Sequence, residues 1–206
     1  LPVDVAFVHI SRPDENGYCS FSIETGLTKA AAESAKYLVA QVNAQMPYVL
    51  GDTLIHVNDL DYIVETDEPL DEFKMADDGE NPVVEGIAKH IAELIPDGAT
   101  LQMGIGAVPD SVLQYLEDKR DLGIHTELFS DGVMHLVQNG VITGARKTLH
   151  RGKITAGFVL GSRELYRWLD HNEIVELYPT EYVNDPCVIG QNYRRSEEHT
   201  SELQSL

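Results

Sequence analysis

Apolar residues crowd the first ten positions, with Val3, Val5 and Phe7 among apolar neighbours, which predicts a strand buried on both faces. Asn16-Gly17 closes a turn signal over residues 13–17, and residues 18–21 return as a second strand. Residues 28–36 are alanine-rich, predicting a helix with Thr28 as N-cap; residues 37–43 and 61–65 then read as strands. Strand, helix, strand is the pattern of an α/β layer. From Glu65 to Asn81 acidic residues and prolines replace the apolar periodicity, which predicts a solvated boundary with an acidic linker over residues 69–80.

A second α/β unit opens at Asn81-Pro82, a cap followed by proline at the first helical position. Val83, Ile87, Ile91, Leu94 and Ile95 make one apolar stripe at helical spacing, predicting the buried face of a helix that Pro96 and Gly98 end. Residues 100–103 predict a short buried strand. A helix over 109–119 follows, burying Val112, Leu113 and Leu116, with Asp110 at its positive end, Lys119 and Arg120 at its negative end and Gly123 as C-cap. Strands over 124–129, 153–160 and 174–178 alternate with helices over 133–138 and 163–169. The expected fold is an open, mostly parallel αβα sheet, whose ligands gather at the carboxyl ends of the strands.

Gly104 and Gly106 lie at one such end, between a strand and a helix N-terminus. Glycines there let the backbone approach a ligand and aim N–H groups at an oxyanion or a phosphate. A dinucleotide is disfavoured, because the third glycine of that fingerprint would fall at Pro109. Gln102, at the strand end, is read as a hydrogen-bonding site residue. Ser130-Asp131-Gly132 forms the next turn along the sheet edge.

A net charge of −19 argues against nucleic acid or an anionic membrane as partner. Cys19 and Cys187 fit no metal spacing and read as reduced thiols, and the histidines show no ligand pattern, so no metal is expected. Apolar runs are too short for a membrane helix and no signal sequence opens the chain, so the expected location is the cytoplasm. The chain opens without methionine inside a strand pattern, which suggests an upstream partner. After Asn192 the character changes: Arg195-Ser-Glu-Glu-His-Thr-Ser-Glu-Leu-Gln-Ser205 lacks strand alternation and a helical face, and matches the translation of a sequencing-library adapter. Residues 194–206 are therefore expected to be an artefact outside the fold.

Five segments in order carry a family resemblance: Pro13-Asp-Glu-Asn-Gly-Tyr-Cys-Ser20, Gly51-Asp-Thr-Leu-Ile-His56, Leu101-Gln-Met-Gly-Ile-Gly-Ala-Val-Pro-Asp110, Gly123-Ile-His-Thr-Glu-Leu-Phe-Ser-Asp-Gly132 and Glu176-Leu-Tyr-Pro-Thr-Glu-Tyr-Val-Asn-Asp-Pro186. With them the chain resembles the acetyl-CoA hydrolase/transferase family, in its 4-hydroxybutyrate CoA-transferase-like branch. The resemblance implies two αβα layered CoA-transferase-like domains with open, mostly parallel sheets. Residues 1–68 would be the last part of the first domain and residues 81–193 a truncated second.

It implies an enzyme that moves coenzyme A between an acyl-CoA and a small carboxylic acid through a glutamyl-CoA thioester. Coenzyme A is then substrate, with no covalently bound cofactor, and the assembly a homodimer. The resemblance places Gln102, Met103, Gly104, Ile105 and Gly106 beside the CoA and acyl groups, with Ser130 and Asp131 behind them. It places the nucleophilic glutamate beyond Val188-Ile-Gly-Gln-Asn192, so no catalytic residue is expected within the chain, which should be inactive alone. Glu127, two residues after His125, is read as a paired, buried acid. The alternatives are an acetyl-CoA hydrolase and a non-catalytic effector-binding αβα domain.

Overall fold

The computed structural model describes residues 3–73, 81–104, 106–192 and the backbone of 195–198. Ile105 lies outside them, as do residues 74–80 of the expected linker. The first unit contains β1 (Val3–Ile10), β2 (Tyr18–Ser20), α1 (Thr28–Ser34), β3 (Ala35–Asn43), β4 (Leu50–Gly51), β5 (Leu54–His56) and β6 (Tyr62–Thr66). The second contains α2 (Pro82–Leu94), β7 (Thr100–Met103), α3 (Ala107–Gln114), β8 (Gly123–Phe129), α4 (Asp131–Gln138), β9 (Ile154–Val159), α5 (Arg163–Leu169), β10 (Val175–Leu177), α6 (Thr180–Val183), α7 (Pro186–Ile189) and β11 (Arg195–Glu198).

β1, β3 and β6 form a parallel sheet, with Val5 opposite Tyr37 and Val39 opposite Tyr62. Ala6, Val8, Ile10, Leu38, Ala40 and Val42 bury one face in a core shared with Cys19, Phe21 and Ala32. The opposite face is bare, with Phe7 80% and Tyr62 62% exposed, so β1 is not buried on both sides as its apolar run predicts. Sheet period 2 sends half of any such run outward, and only a second layer can cover it.

The second sheet runs β11-β7-β8-β9-β10-β4, and every pairing in it is parallel. Its edge strand β4 comes from the first unit's sequence, and Val49 beside it packs in the second core. The described part of the expected linker is likewise tied down. Glu72 accepts from Arg163 N–H (3.3 Å), and Phe73 N–H donates to Gly161 O (3.0 Å).

Three local expectations are corrected. Asn81 caps α2, accepting from Val83 and Val84 N–H, yet the apolar stripe is split: Val83, Ile87 and Leu94 are exposed, at 69% and 82% for Val83 and Leu94, while Ile91 is half-buried and Ile95 buried. The helix docks on α3 with Ala88 and Ala92 buried, because small residues permit the closer approach. Thr28 is the first residue of α1, not its cap; the N-cap is Leu27, without a side-chain bond. α3 begins at Ala107, two residues before Pro109, with Gly106 as its N-cap, and ends at Gln114, so Lys119 and Arg120 lie beyond it and Gly123 opens β8.

Residues 195–198 pair parallel with β7 from Thr100 to Met103, although their sequence shows no strand pattern. An edge strand bonds through its backbone, so a neighbouring segment of almost any composition can fill the slot.

Candidate active site

The carboxyl ends of β7, β8 and β9 lie side by side. The backbone pairing of β7 with β8 runs from Thr100 opposite Gly123 to Leu101 opposite Ile124. Beyond it the Thr126 side chain takes over: Oγ1 accepts from Met103 N–H (2.9 Å) and lies 3.0 Å from Met103 O. The Met103 N–H is thus occupied within the sheet, and Gln102 and Met103 are both buried. One residue further on each strand come Gly104 and Glu127. Gly106 then holds φ +128° as N-cap of α3, a conformation that L side chains rarely adopt, and its carbonyl accepts from Asp110 N–H (3.3 Å).

Alternation puts Gly123, His125 and Glu127 on one face of β8. Above that face lies α6, a four-residue helix. His125 is buried, with Nε2 3.0 Å from Val183 O. The half-buried Glu127 carboxylate accepts from Asn184 Nδ2 (2.9 Å). On the other side of β8, Gly157 of β9 faces Glu127; a Cβ there would stand 3.0 Å from Glu127 O. The first unit reaches this point too, because Thr25 and Gly26 both donate N–H to Gly157 O at 3.2 Å, and Thr180 N–H donates to Gly26 O (2.9 Å). Glu127 therefore sits where both units meet the carboxyl edge of the sheet.

Ser130 and Asp131 belong to a different place. Asp131 accepts from Ser162 N–H (2.9 Å) and from the Ser162 hydroxyl, fastening the turn after β8 to the turn after β9. Ser130 Oγ lies 3.5 Å from Asp110 Oδ1, and burial pushes the Asp110 carboxyl above its ordinary range while Ser130 opposes the shift. These residues line a cavity of about 680 Å³ with Phe73, Leu113 and His135; Gln102, Gly104, Gly106 and Glu127 do not line it. The sequence-derived residues thus divide into a glycine turn beside Glu127 and a serine–aspartate turn on a separate cavity.

Two neighbours of Glu127 escaped the sequence reading, Asn184 and Gly157. Asn184 lies within one of the motif segments, residues 176–186, which was the available signal. Among the described residues no group of three or more His, Cys, Asp or Glu could hold a metal ion, and no helix is long and apolar enough to cross a membrane.

The model of the acetyl-CoA hydrolase/transferase N-terminal domain matches residues 1–72, and that of the corresponding C-terminal domain matches residues 161–196. The chain belongs to the acetyl-CoA hydrolase/transferase family. It is 53% identical over 192 residues to 4-hydroxybutyrate coenzyme A transferase of Clostridium kluyveri, covering 93% of this chain and 44% of that protein. It is 44% identical over 191 residues to the succinyl-CoA:cyclohexane-1-carboxylate CoA transferase of Geobacter metallireducens, covering 93% and 43%. Among solved structures, 4-hydroxybutyrate CoA-transferase from Porphyromonas gingivalis superposes with a TM-score of 0.91 at 48% identity, covering 96% of this chain and 50% of that one. The chain thus spans about half the length of the family members it matches. Its match to the C-terminal domain extends to residue 196, inside the segment that pairs with β7.

Proposed function

We propose that this chain is part of a CoA-transferase that moves coenzyme A from an acyl-CoA such as acetyl-CoA to a small carboxylic acid such as 4-hydroxybutyrate, with Glu127 as the nucleophile. The observation that carries the reading is the Glu127 carboxylate: half-buried at the carboxyl edge of a parallel sheet, next to the glycine turn, with Asn184 holding one oxygen. An amide donor on one oxygen fixes the carboxylate's orientation and leaves the other for attack. The relatives' names supply the substrate class.

In the reaction a carboxylate oxygen attacks the thioester carbonyl, and the tetrahedral oxyanion collapses to an acyl-glutamyl anhydride with loss of CoA thiolate. The thiolate attacks the glutamyl carbonyl, releasing the acyl group as a free carboxylate and leaving a glutamyl-CoA thioester. An acceptor carboxylate then runs the same two steps in reverse. Each addition gains from fixed donors at the oxyanion, and the turn at Gly104 and Gly106 leaves the carboxyl end of β7, the strand paired with β8, which carries Glu127. A hydrolase would differ only in letting water attack the glutamyl thioester.

The experiment is incubation of the chain with acetyl-CoA, followed by intact-mass and peptide analysis. The expected result is a CoA thioester on the peptide carrying Glu127, absent in Glu127→Gln, and discharged by 4-hydroxybutyrate faster than by water. The reading that places the nucleophile beyond residue 192 expects no adduct and no turnover from this chain, and that result would overturn the assignment of Glu127. A cytoplasmic homodimer is the setting we propose for the whole protein, and size-exclusion with light scattering measures the assembly.

A further inference from the structure

The four-residue helix α6 is too short to hold itself together, since one turn of helix costs more in ordering than its own hydrogen bonds return. It is held by tethers. Thr180 N–H is bound by Gly26 O, Val183 O by His125, and the residue after the helix, Asn184, is bound to Glu127. A further tether is Tyr182, whose hydroxyl lies 2.6 Å from His150 Nε2, with the two rings edge-on at 5.6 Å.

His150 is itself held from behind. Its Nδ1 lies 3.2 Å from Glu176 Oε2 and 3.2 Å from the Tyr178 hydroxyl, which donates to the same Glu176 oxygen at 3.0 Å. A carboxylate can only accept, so Nδ1 carries a proton, and in the neutral ring Nε2 is the acceptor for the Tyr182 hydroxyl. The chain Glu176–His150–Tyr182 is polarised in one direction. Burial, followed by the charge of Glu176, pushes the Tyr182 phenol above its ordinary range, which keeps it a donor. His150 also holds φ +50°, a left-handed conformation uncommon for a residue other than glycine. Strain at a residue with such specific partners points to a role at that position.

We propose that His150 is a positioning residue for the reaction at Glu127: backed by Glu176, it fixes Tyr182 and so the helix α6, which presents the Asn184 amide to the Glu127 carboxylate. The inference rests on the reading of Glu127 as the reacting group for its purpose, while its physical content is a coupling between His150 and Asn184.

The test follows the side-chain amide of Asn184 by nitrogen–proton NMR of the 206-residue chain, its signal assigned by loss in Asn184→Ala. Tyr182→Phe removes one oxygen and keeps the ring. His150→Asn keeps a residue that tolerates positive φ and shortens the side chain so that it no longer reaches Tyr182. Each is expected to move the Asn184 amide pair toward its position in Glu127→Gln and to speed its solvent exchange about tenfold, the opening that one lost hydrogen bond permits. The double variant should do no more than either alone. Leu169→Val, a destabilising change elsewhere in the second core, should leave the signal in place.

An Asn184 signal unmoved in both tether variants, or moved equally by Leu169→Val, would overturn the proposal. Absence of a CoA adduct on Glu127 with the coupling intact would instead overturn the assignment of the nucleophile. The two failures are therefore separately readable.

Discussion

Lys147 gives the sharpest test of the folded state. Its ammonium group is enclosed under the second sheet, 2.7 Å from Ile124 O, 2.8 Å from Lys153 O and 2.9 Å from Thr155 Oγ1. Three acceptors suit an ammonium ion. Yet a neutral amine is equally satisfied if it donates to the two carbonyls and accepts from the Thr155 hydroxyl. Hydrogen bonding does not choose between the forms, so desolvation does: burial pushes Lys147 down to about 7, with the Glu176 charge opposing. In the unfolded chain the group titrates at its ordinary 10.5.

Between those values the unfolded state binds the extra proton, so stability rises with pH across the window and the burial penalty is fully present below it. At about 1.4 kcal/mol for each tenfold change in proton affinity, the gain from pH 6 to pH 9.5 is about 3 kcal/mol. Urea unfolding of the wild-type chain and Lys147→Met at several pH values measures it. The stability difference between them is the quantity to follow, because other titrations cancel in it. Cys19 is one such titration. Burial raises its thiol to about 11, so the stability it contributes is lost as pH rises through the alkaline range. A wild-type advantage that stays flat or shrinks from pH 6 to 9.5 would refute the burial argument.

Other substitutions probe the fold directly. Gly51→Ala should abolish the β4–β10 pairing and cost roughly 3 kcal/mol in thermal or urea melts, since Gly51 holds φ +111° and a Cβ would lie 2.3 Å from Leu177 O. Asn81→Ala removes the cap of α2 and should cost about 1 kcal/mol, read from the same melts. Leu169→Ala opens a cavity at a fully buried site and should cost about 2–5 kcal/mol, whereas Leu94→Ala on the bare face of α2 should cost well under 1 kcal/mol, about 0.5 at most. Equal costs for the two leucines would mean that the exposed stripe is covered in solution.

Local chemistry in the sequence determined most of the elements. Alternating apolar runs placed β3 and β6–β10 within a residue or two, and the Asn81-Pro82 pair set the start of α2. Period and turn signals are short-range, so they survive any tertiary arrangement. The glycine turn after β7 was legible for the same reason: Gly106 carries the positive φ that its position at the head of α3 demands.

What faces what was settled by the tertiary structure. The apolar stripes of β1 and α2 read as buried, yet Phe7 and Leu94 are exposed, because burial needs a partner surface and the stripe alone supplies none. β4 joins the second unit's sheet through backbone pairing that no side-chain pattern announces. The surroundings of Glu127 were not legible, because Asn184 and Gly157 lie 57 and 30 positions away and meet it only once the sheet and α6 are assembled. Ser130 and Asp131, three and four residues after it, line a cavity that Glu127 does not. Sequence neighbourhood follows the chain, whereas a site at the carboxyl edge of a parallel sheet draws one residue from each strand, so its membership is a property of the sheet order.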